Sequence, residues 1–153
     1  MEKFFEEYLT VLETCHNNIL KTVEGLSESA LNWKPGPDMN SIAVLIYHLT
    51  GAERFWIGDV ADQTPSGRDR DAEFRVKDVG PDVLKNRLNE NLDYVRSVME
   101  KLTLQDLAAT RVTPDERTVT VAWALLHAVE HSGIHRGHIE IMCQLWQDSQ
   151  GGA

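Results

Sequence analysis

The chain has 153 residues, of which 42% are hydrophobic, and a formal net charge of −9 at pH 7. This length and apolar content suit one hydrophobic core, so we expect residues 1–153 to form a single domain. Acidic and basic residues are interspersed and form no basic stripe, which argues against nucleic acid and anionic membranes as partners. A small molecule is therefore the expected ligand.

The N-terminus does not combine a basic segment with an apolar one, as a signal peptide would, and no stretch approaches the ~18 apolar residues of a membrane span. The sequence therefore predicts a soluble, cytoplasmic protein. Its two cysteines, Cys15 and Cys143, are too few for a disulfide framework and lie within apolar helical patterns. We expect both to be reduced thiols with a structural role.

Apolar residues recur every three or four positions in four segments, which is the spacing of helices that bury one face. The predicted helices cover Phe4–Val23, a segment from an N-cap at Asn40 or Ser41 to about Val60, Pro81–Leu102, and a segment from about Val119 to Gln147. Glycines and prolines interrupt the pattern at residues 25–39, and Pro114 lies in a polar connection before the fourth helix. The sequence therefore predicts an all-α bundle.

The connection between the second and third helices, residues 61–80, is rich in Asp, Arg, Gly, Pro and Ser and is longer than the 2–8 residues typical of neighbouring antiparallel helices. An extended chain of about twenty residues spans up to ~66 Å, more than twice the ~30 Å of a helix of that length. We therefore favour a four-helix bundle with one long crossover over an up-down-up-down bundle. The same segment could also form a lid.

Four of the six histidines lie near the end of the chain, in the run His127-Ala-Val-Glu-His131-Ser-Gly-Ile-His135-Arg-Gly-His138. At ~100° of rotation per residue they fall within roughly 80° of one another, on one face of the fourth helix. His131 and His135 are one turn apart, so one cation at ~2.0–2.1 Å could bind a ring nitrogen of each. This column predicts a metal site, although a polar helix also carries histidines by chance.

A third ligand has to come from another segment, where the remaining histidines are His16 and His48. His48 is the better candidate because its neighbours one turn away are largely apolar, and a buried imidazole needs a polar partner. Three neutral imidazoles leave coordination positions open, as in catalytic sites, whereas a structural zinc site would normally have a fourth ligand. This donor set suits zinc or nickel, with iron or copper as alternatives.

His127 and His138 lie on the same stripe, one turn before His131 and about one turn after His135. We expect them to line the pocket, where either could accept a proton during catalysis, rather than to bind the metal. Glu130 completes the H-x-x-E-H pattern of inverted zinc peptidases. We set that interpretation aside because it leaves the second half of the histidine column without a role.

Gly133 and Gly137 lie one turn apart on the side of the fourth helix away from the histidines. Glycine costs ~1 kcal/mol relative to alanine inside a helix, so the pair predicts close approach of another helix, from the same chain or from a dimer partner. A bend in the helix is an equally good interpretation.

Three motifs carry a resemblance to a known family. They are Leu31-Asn-Trp33-Lys-Pro35, Ser41-Ile-Ala-Val-Leu-Ile-Tyr-His48-Leu with Glu53 following, and His131-Ser-Gly-Ile-His135-Arg136-Gly137. Through them the chain resembles, over nearly its whole length, the DinB-like (damage-inducible protein B, YfiT-like) family of metal-dependent four-helix-bundle proteins. The resemblance implies a metal bound by His48, His131 and His135, parallel second and third helices, and a homodimer. Where the family commonly has Gln, this chain has His138.

The resemblance also implies an activity, since relatives include thiol transferases and isomerases that use low-molecular-weight thiols, and proteins assigned as hydrolases. A divalent cation with open positions lowers the pKa of a nearby thiol or water. We therefore predict a metal-dependent thiol transferase or hydrolase that acts on a small molecule. A non-enzymatic bundle that binds a small ligand or a metal is the alternative. A haem protein is disfavoured, because paired axial histidines approach the iron from opposite faces.

Overall fold

The computed structural model describes residues 1–151, so positions 152 and 153 of the predicted domain lie outside it. Its helices are α1 (Lys3–Val23), the short α2 (Glu28–Asn32), α3 (Ile42–Glu53), the short α4 (Arg70–Glu73), α5 (Pro81–Met99) and α6 (Val121–Gly151). A π-helical segment, Arg54–Asp62, continues α3, and a single 3-10 turn spans Asp106–Ala108. Strands β1 (Thr110–Val112) and β2 (Thr118–Thr120) form an antiparallel hairpin before α6.

The four long predicted helices correspond to α1, α3 with its π-helical extension, α5 and α6. Ser41 is the N-cap of α3, and its hydroxyl accepts a hydrogen bond from the Val44 amide at 3.2 Å. The fourth helix begins two residues later than predicted, at Val121, because the preceding residues pair with β1. The polar connection predicted around Pro114 contains a β-hairpin, and neither this hairpin nor the short helices α2 and α4 were predicted.

Side-chain contacts between the long helices establish their directions. Arg87 on α5 donates to Thr50 on α3 at 2.7 Å, and Asn91 on α5 accepts from Arg54, just after α3, at 3.0 Å. Residue numbers therefore rise together along α3 and α5, so these two helices are parallel. The segment between them returns along the bundle, as the long connection requires. The predicted four-helix bundle with a long crossover is confirmed.

A layer of buried polar side chains crosses the middle of the bundle between two clusters of apolar residues. Its members are His16 on α1, Glu53 on α3, Asn91 on α5 and Ser132 on α6, all fully buried. The Glu53 carboxylate accepts hydrogen bonds from the other three side chains. Burial alone would lower the pKa of His16, but the charge and hydrogen bond of Glu53 and the Leu88 carbonyl raise it.

Cys15 and Cys143 are free and buried, as the sequence predicts. Each thiol faces a backbone carbonyl of a neighbouring helix, Ser132 for Cys15 and Thr22 for Cys143, both at 3.6 Å. Among the helices of residues 1–151, none has both the length and the apolar character that a membrane crossing requires.

The glycines of α6 do not mark a contact inside the bundle. A Cβ atom added at Gly133 or Gly137 would have nothing within 4 Å, so of the alternatives left open by the sequence, close approach by a helix of the described chain is excluded. The close approaches are on α3 and its extension instead. A Cβ atom added at Gly51 would overlap the Glu73 carboxylate, and one added at Gly58 would overlap the Tyr94 hydroxyl.

Candidate metal centre

Three imidazoles converge where α3 faces α6. The Nε2 atom of His131 lies 3.2 Å from that of His48 and 3.2 Å from that of His135. One ring nitrogen of each histidine lies within 4.8 Å of those of the other two. Nitrogens that share one tetrahedral cation at ~2.0–2.1 Å are ~3.3 Å apart, so this spacing fits a single transition-metal ion.

The other ring nitrogens point away from this common point. His48 Nδ1 lies 3.0 Å from a carboxylate oxygen of Glu73, so the ring hydrogen of a neutral His48 belongs on Nδ1 and leaves the Nε2 lone pair free. His135 Nδ1 lies 3.4 Å from Nδ1 of His138. His131 Nδ1 is buried without a hydrogen-bond partner within the described chain. The donor set therefore consists of three Nε2 atoms.

Burial and neighbouring charges keep His131 and His135, the two candidate ligands on α6, neutral. Burial, followed by the charges of His135 and His48, lowers the pKa of His131 to about 3. Burial, followed by the charges of His48 and His138, lowers the pKa of His135 to about 4. Neutral imidazole is the form that binds a metal, because protonation removes the lone pair. Near pH 7 both rings are therefore available as ligands.

Glu73 and Arg68, both from the crossover, support His48 in a way that the sequence analysis missed. Arg68 donates to the two oxygens of Glu73 at 2.6 and 2.9 Å, and Glu73 is itself buried on α4. Burial would raise the pKa of Glu73, but the hydrogen bonds from Arg68 and His48 lower it below its ordinary value. The carboxylate is thus charged and orients the His48 ring.

No local pattern identifies this pair in the sequence. Glu73 lies twenty-five positions after His48, in a connection whose path depends on tertiary packing. Gly51, one turn from His48, is the related feature in the sequence, because its missing side chain leaves the space that the Glu73 carboxylate occupies.

His127 forms part of the wall of a cleft that opens over the histidines. Its ring stacks on Trp123, with a centroid distance of 4.8 Å and an interplanar angle of 15°, and meets the edge of Trp56 at 4.8 Å. Glu130, whose side chain is 67% exposed, lies 3.4 Å from His127 Nδ1. Glu130 is therefore a surface partner of His127 and is separate from the three converging imidazoles.

His138 lies on the other side of His135 and is exposed. It lies next to the Nδ1 atom of the candidate ligand His135, whereas His127 faces the cleft. His16, the less favoured third histidine, belongs instead to the buried polar layer with Glu53. The structure thus brings together His48, His131 and His135 and leaves the other histidines in separate environments.

The cleft has a volume of about 600 Å³. Residues of α3 and its π-helical extension form one wall, the crossover and the β1–β2 hairpin contribute arginines, and His48 and His131 form the floor. The lining residues are His48, Ala52, Phe55, Trp56, Asp59, Arg68, Arg70, Pro114, Asp115, Arg117, His127 and His131. This volume is in the range of small-molecule sites.

Comparison with known families identifies the class of protein. The model of the DinB superfamily matches residues 12–139, so the chain belongs to that superfamily. No curated protein matches it in sequence. The family assignment agrees with the resemblance seen in the motifs around His48 and His131.

Solved structures share the fold at low sequence identity. A conserved protein from Enterococcus faecalis is 15% identical, with a TM-score of 0.79 over 97% of this chain and 99% of that one. YfiT from Bacillus subtilis, described as a probable metal-dependent hydrolase with an unusual four-helix bundle topology, is 20% identical, with a TM-score of 0.70 over 94% and 89%. A mycothiol-dependent maleylpyruvate isomerase is 17% identical, with a TM-score of 0.64 over 89% of this chain and 62% of that one.

Proposed function

We propose that this protein is a metal-dependent enzyme in which His48, His131 and His135 hold one divalent transition-metal ion. The observation that carries the proposal is the convergence of their three Nε2 atoms, with His48 Nδ1 bonded to Glu73 on the opposite side of the ring. Zinc or nickel fits this all-imidazole donor set best, and iron or copper also accepts it. Three protein ligands would leave further coordination positions open for a substrate or water.

The proposed reaction is a thiol transfer or a hydrolysis on a small molecule. When bound, a divalent cation acts as a Lewis acid that lowers the pKa of an adjacent thiol or water, to about 7 in the case of water. The fold shared with a mycothiol-dependent isomerase and with YfiT supports these two reaction types. A low-molecular-weight thiol is the proposed co-substrate of the transfer reaction.

The chain's own residues supply orientation and proton transfer. Glu73 and Arg68 hold His48 in one tautomer, and the apolar rings of Phe55 and Trp56 exclude water from one wall of the cleft. We propose that His127, held between Trp123 and Trp56, accepts the proton released from the thiol or water and returns it to the leaving group. His138, outside the cleft wall, has a lesser role through His135.

We further propose that the protein is a homodimer that pairs through the outer face of α6. Gly133 and Gly137 allow close approach there, and Ile134 and Ile141 on the same helix are 52% and 53% exposed. Light scattering of the wild type and of Gly137→Glu tests this arrangement. A dimer that becomes a monomer in the variant supports it, and a monomeric wild type at micromolar concentration contradicts it.

Elemental analysis of tag-free protein after dialysis against a weak chelator tests the metal site. We expect about one metal ion per chain in the wild type and in the matched control His127→Ala, whose ring packs on Trp123, and none in His131→Ala. Loaded protein is then assayed with thiol acceptors and with esters. A folded wild type that retains no metal would contradict the proposed centre, and metal without turnover in either assay would favour the non-enzymatic binding protein.

A further inference from the structure

Three arginines reach the cleft above the histidines, although the chain as a whole is acidic. Arg68 and Arg70 come from the crossover, and Arg117 comes from the turn that leads into β2. The formal net charge is −9, with 24 acidic and 15 basic residues. The cleft lining also holds two acids, Asp59 and Asp115, so its three arginines leave it slightly positive in an acidic chain, which favours a negatively charged ligand.

Each guanidinium lies against an aromatic ring. Arg68 is 5.7 Å from the centroid of Phe55, Arg70 is 5.0 Å from that of Phe74, and Arg117 is 5.5 Å from that of Trp56. Stacking on an aromatic face restricts the conformations of a long side chain without using its hydrogen-bond donors. The arginines are thus held in position with donors left for a ligand.

The three arginines differ in how their charge is matched. Arg68 is committed to Glu73 through two hydrogen bonds. Arg117 lies 2.7 Å from Asp115, with both side chains more than half exposed, and an exposed pair of this kind is weak enough to exchange partners. Arg70 has no carboxylate within 4.0 Å in residues 1–151. Of the three arginines that line the cleft, Arg70 is therefore the one without an ion-pair partner in residues 1–151.

The two acidic residues of the cleft do not pair with Arg70. Asp59 accepts hydrogen bonds from the amide and the hydroxyl of Ser66. Asp115 accepts from the Thr113 hydroxyl as well as from Arg117. Both carboxylates keep their negative charge, but the fold holds them in these contacts, so neither forms an ion pair with Arg70.

From this arrangement we infer that the small-molecule substrate carries an anionic group, a carboxylate or a phosphate, that is bound by Arg70 together with Arg117. Its reacting atom then lies at the proposed metal site, next to His48 and His131 on the cleft floor. The inference rests on the proposed function, because it concerns the other end of the same substrate. The fork of an arginine matches both anions through two parallel hydrogen bonds, which a single amine does not provide.

A set of simple thiols tests the inference by binding rather than by turnover. Full-length protein is loaded with cobalt(II), and thiol binding is followed by the change in its visible and near-ultraviolet absorption. The probes are 3-mercaptopropionate, 2-mercaptoethylphosphonate and the neutral 3-mercapto-1-propanol. The variants are Arg70→Gln, Arg117→Gln and the matched control Arg75→Gln, an exposed arginine of the crossover that does not line the cleft.

We expect at least one anionic thiol to bind about tenfold more tightly than the neutral one, with the preference weakened by salt. Arg70→Gln should remove most of this preference, Arg117→Gln part of it and Arg75→Gln none. Tighter binding of 3-mercaptopropionate would indicate a carboxylate substrate, and tighter binding of 2-mercaptoethylphosphonate a phosphate substrate.

Equal binding of all three thiols, or equal losses in Arg70→Gln and Arg75→Gln, would overturn the inference while leaving the proposed function intact. Cobalt-loaded wild type that responds to no thiol would overturn the thiol-transfer form of the proposed function and the inference with it. Circular dichroism and metal content of each variant establish that the comparison is between folded, loaded proteins.

Discussion

His48 Nδ1 lies 3.0 Å from an oxygen of Glu73, and this hydrogen bond joins the histidine on α3 to the crossover. Glu73 is in turn held by both donors of the Arg68 fork. The crossover therefore does more than connect two parallel helices, because it carries the carboxylate that orients one of the three converging imidazoles. A carboxylate in this position makes the ring a stronger donor to a metal.

Replacement of this carboxylate should weaken metal binding without unfolding the protein. We expect Glu73→Gln to reduce metal affinity by about 10–100-fold, the usual effect of removing a hydrogen-bond partner of a ligating histidine. Competition with a chromophoric chelator measures the affinity. Asp71→Asn, an exposed acid on the same short helix, is the control and should retain wild-type affinity. Equal affinities in Glu73→Gln and the wild type would show that Glu73 does not act on the site.

The backbone of α3 at Gly51 is the surface against which Glu73 packs. A side chain at this position would overlap the carboxylate, so Gly51→Ala should displace Glu73 and lower metal affinity in the same direction as Glu73→Gln. Gly133→Ala is the matched control on α6, where a Cβ has open space. It should leave metal affinity unchanged, because no atom of the described chain lies within 4 Å of the added methyl group. Chelator competition measures the affinities, and circular dichroism establishes that both variants are folded.

Replacement of different histidines of α6 should affect metal content to very different extents. His135→Ala removes one of the three converging Nε2 atoms and should abolish stoichiometric binding, whereas His127→Ala should retain the metal and lose activity by about 10²–10⁴-fold if this ring transfers a proton. Elemental analysis and single-turnover rates separate the two effects. Metal loss in His127→Ala as complete as that in His135→Ala would place His127 among the ligands.

The buried pair of His16 and Glu53 predicts a pH dependence of stability. Although burial opposes it, Glu53 raises the pKa of His16 in the folded protein above the unfolded value of about 6.5. A raised pKa contributes stability that is fully present below about pH 6.5 and is lost as the pH rises through the folded-state pKa.

We therefore expect His16→Gln to lower the free energy of unfolding of metal-free protein by more at about pH 6 than at about pH 9. Urea unfolding at the two pH values gives the comparison. His138→Gln, at an exposed position, should show no such difference. A loss that is the same at both pH values would mean that the pair contributes packing alone.

Cys15 should resist alkylation in the folded protein. Burial, followed by the charge of Glu53, raises the pKa of its thiol to about 11, so at about pH 8 only about one thiol in a thousand is ionised. Cys143 is also buried and its pKa is raised by burial and by Glu140. Mass spectrometry after iodoacetamide treatment should show no modification in the native state and two modifications in urea. Rapid labelling of native protein would show that the α1–α6 contact opens.

The sequence alone determined the four long helices, the Ser41 cap of α3 and the single face shared by the histidines of α6. These features depend on side-chain periodicity and on hydrogen bonds between residues a few positions apart, which the order of residues already specifies. The family motifs also named His48 as the partner of His131 and His135. Their convergence in the structure follows from α3 and α6 packing face to face.

Only the tertiary structure decided which carboxylate supports His48, where the arginines lie and what the glycines contact. Glu73, Arg70 and Arg117 reach the cleft on the crossover and on a hairpin, whose paths depend on packing against the bundle. Gly133 and Gly137 have the one-turn spacing that is typical of a helix–helix contact, yet they face open space within the chain. Gly51 belongs to no such pattern and contacts Glu73. Contacts between residues distant in sequence are set by the packing of the whole chain, so a local pattern does not contain them.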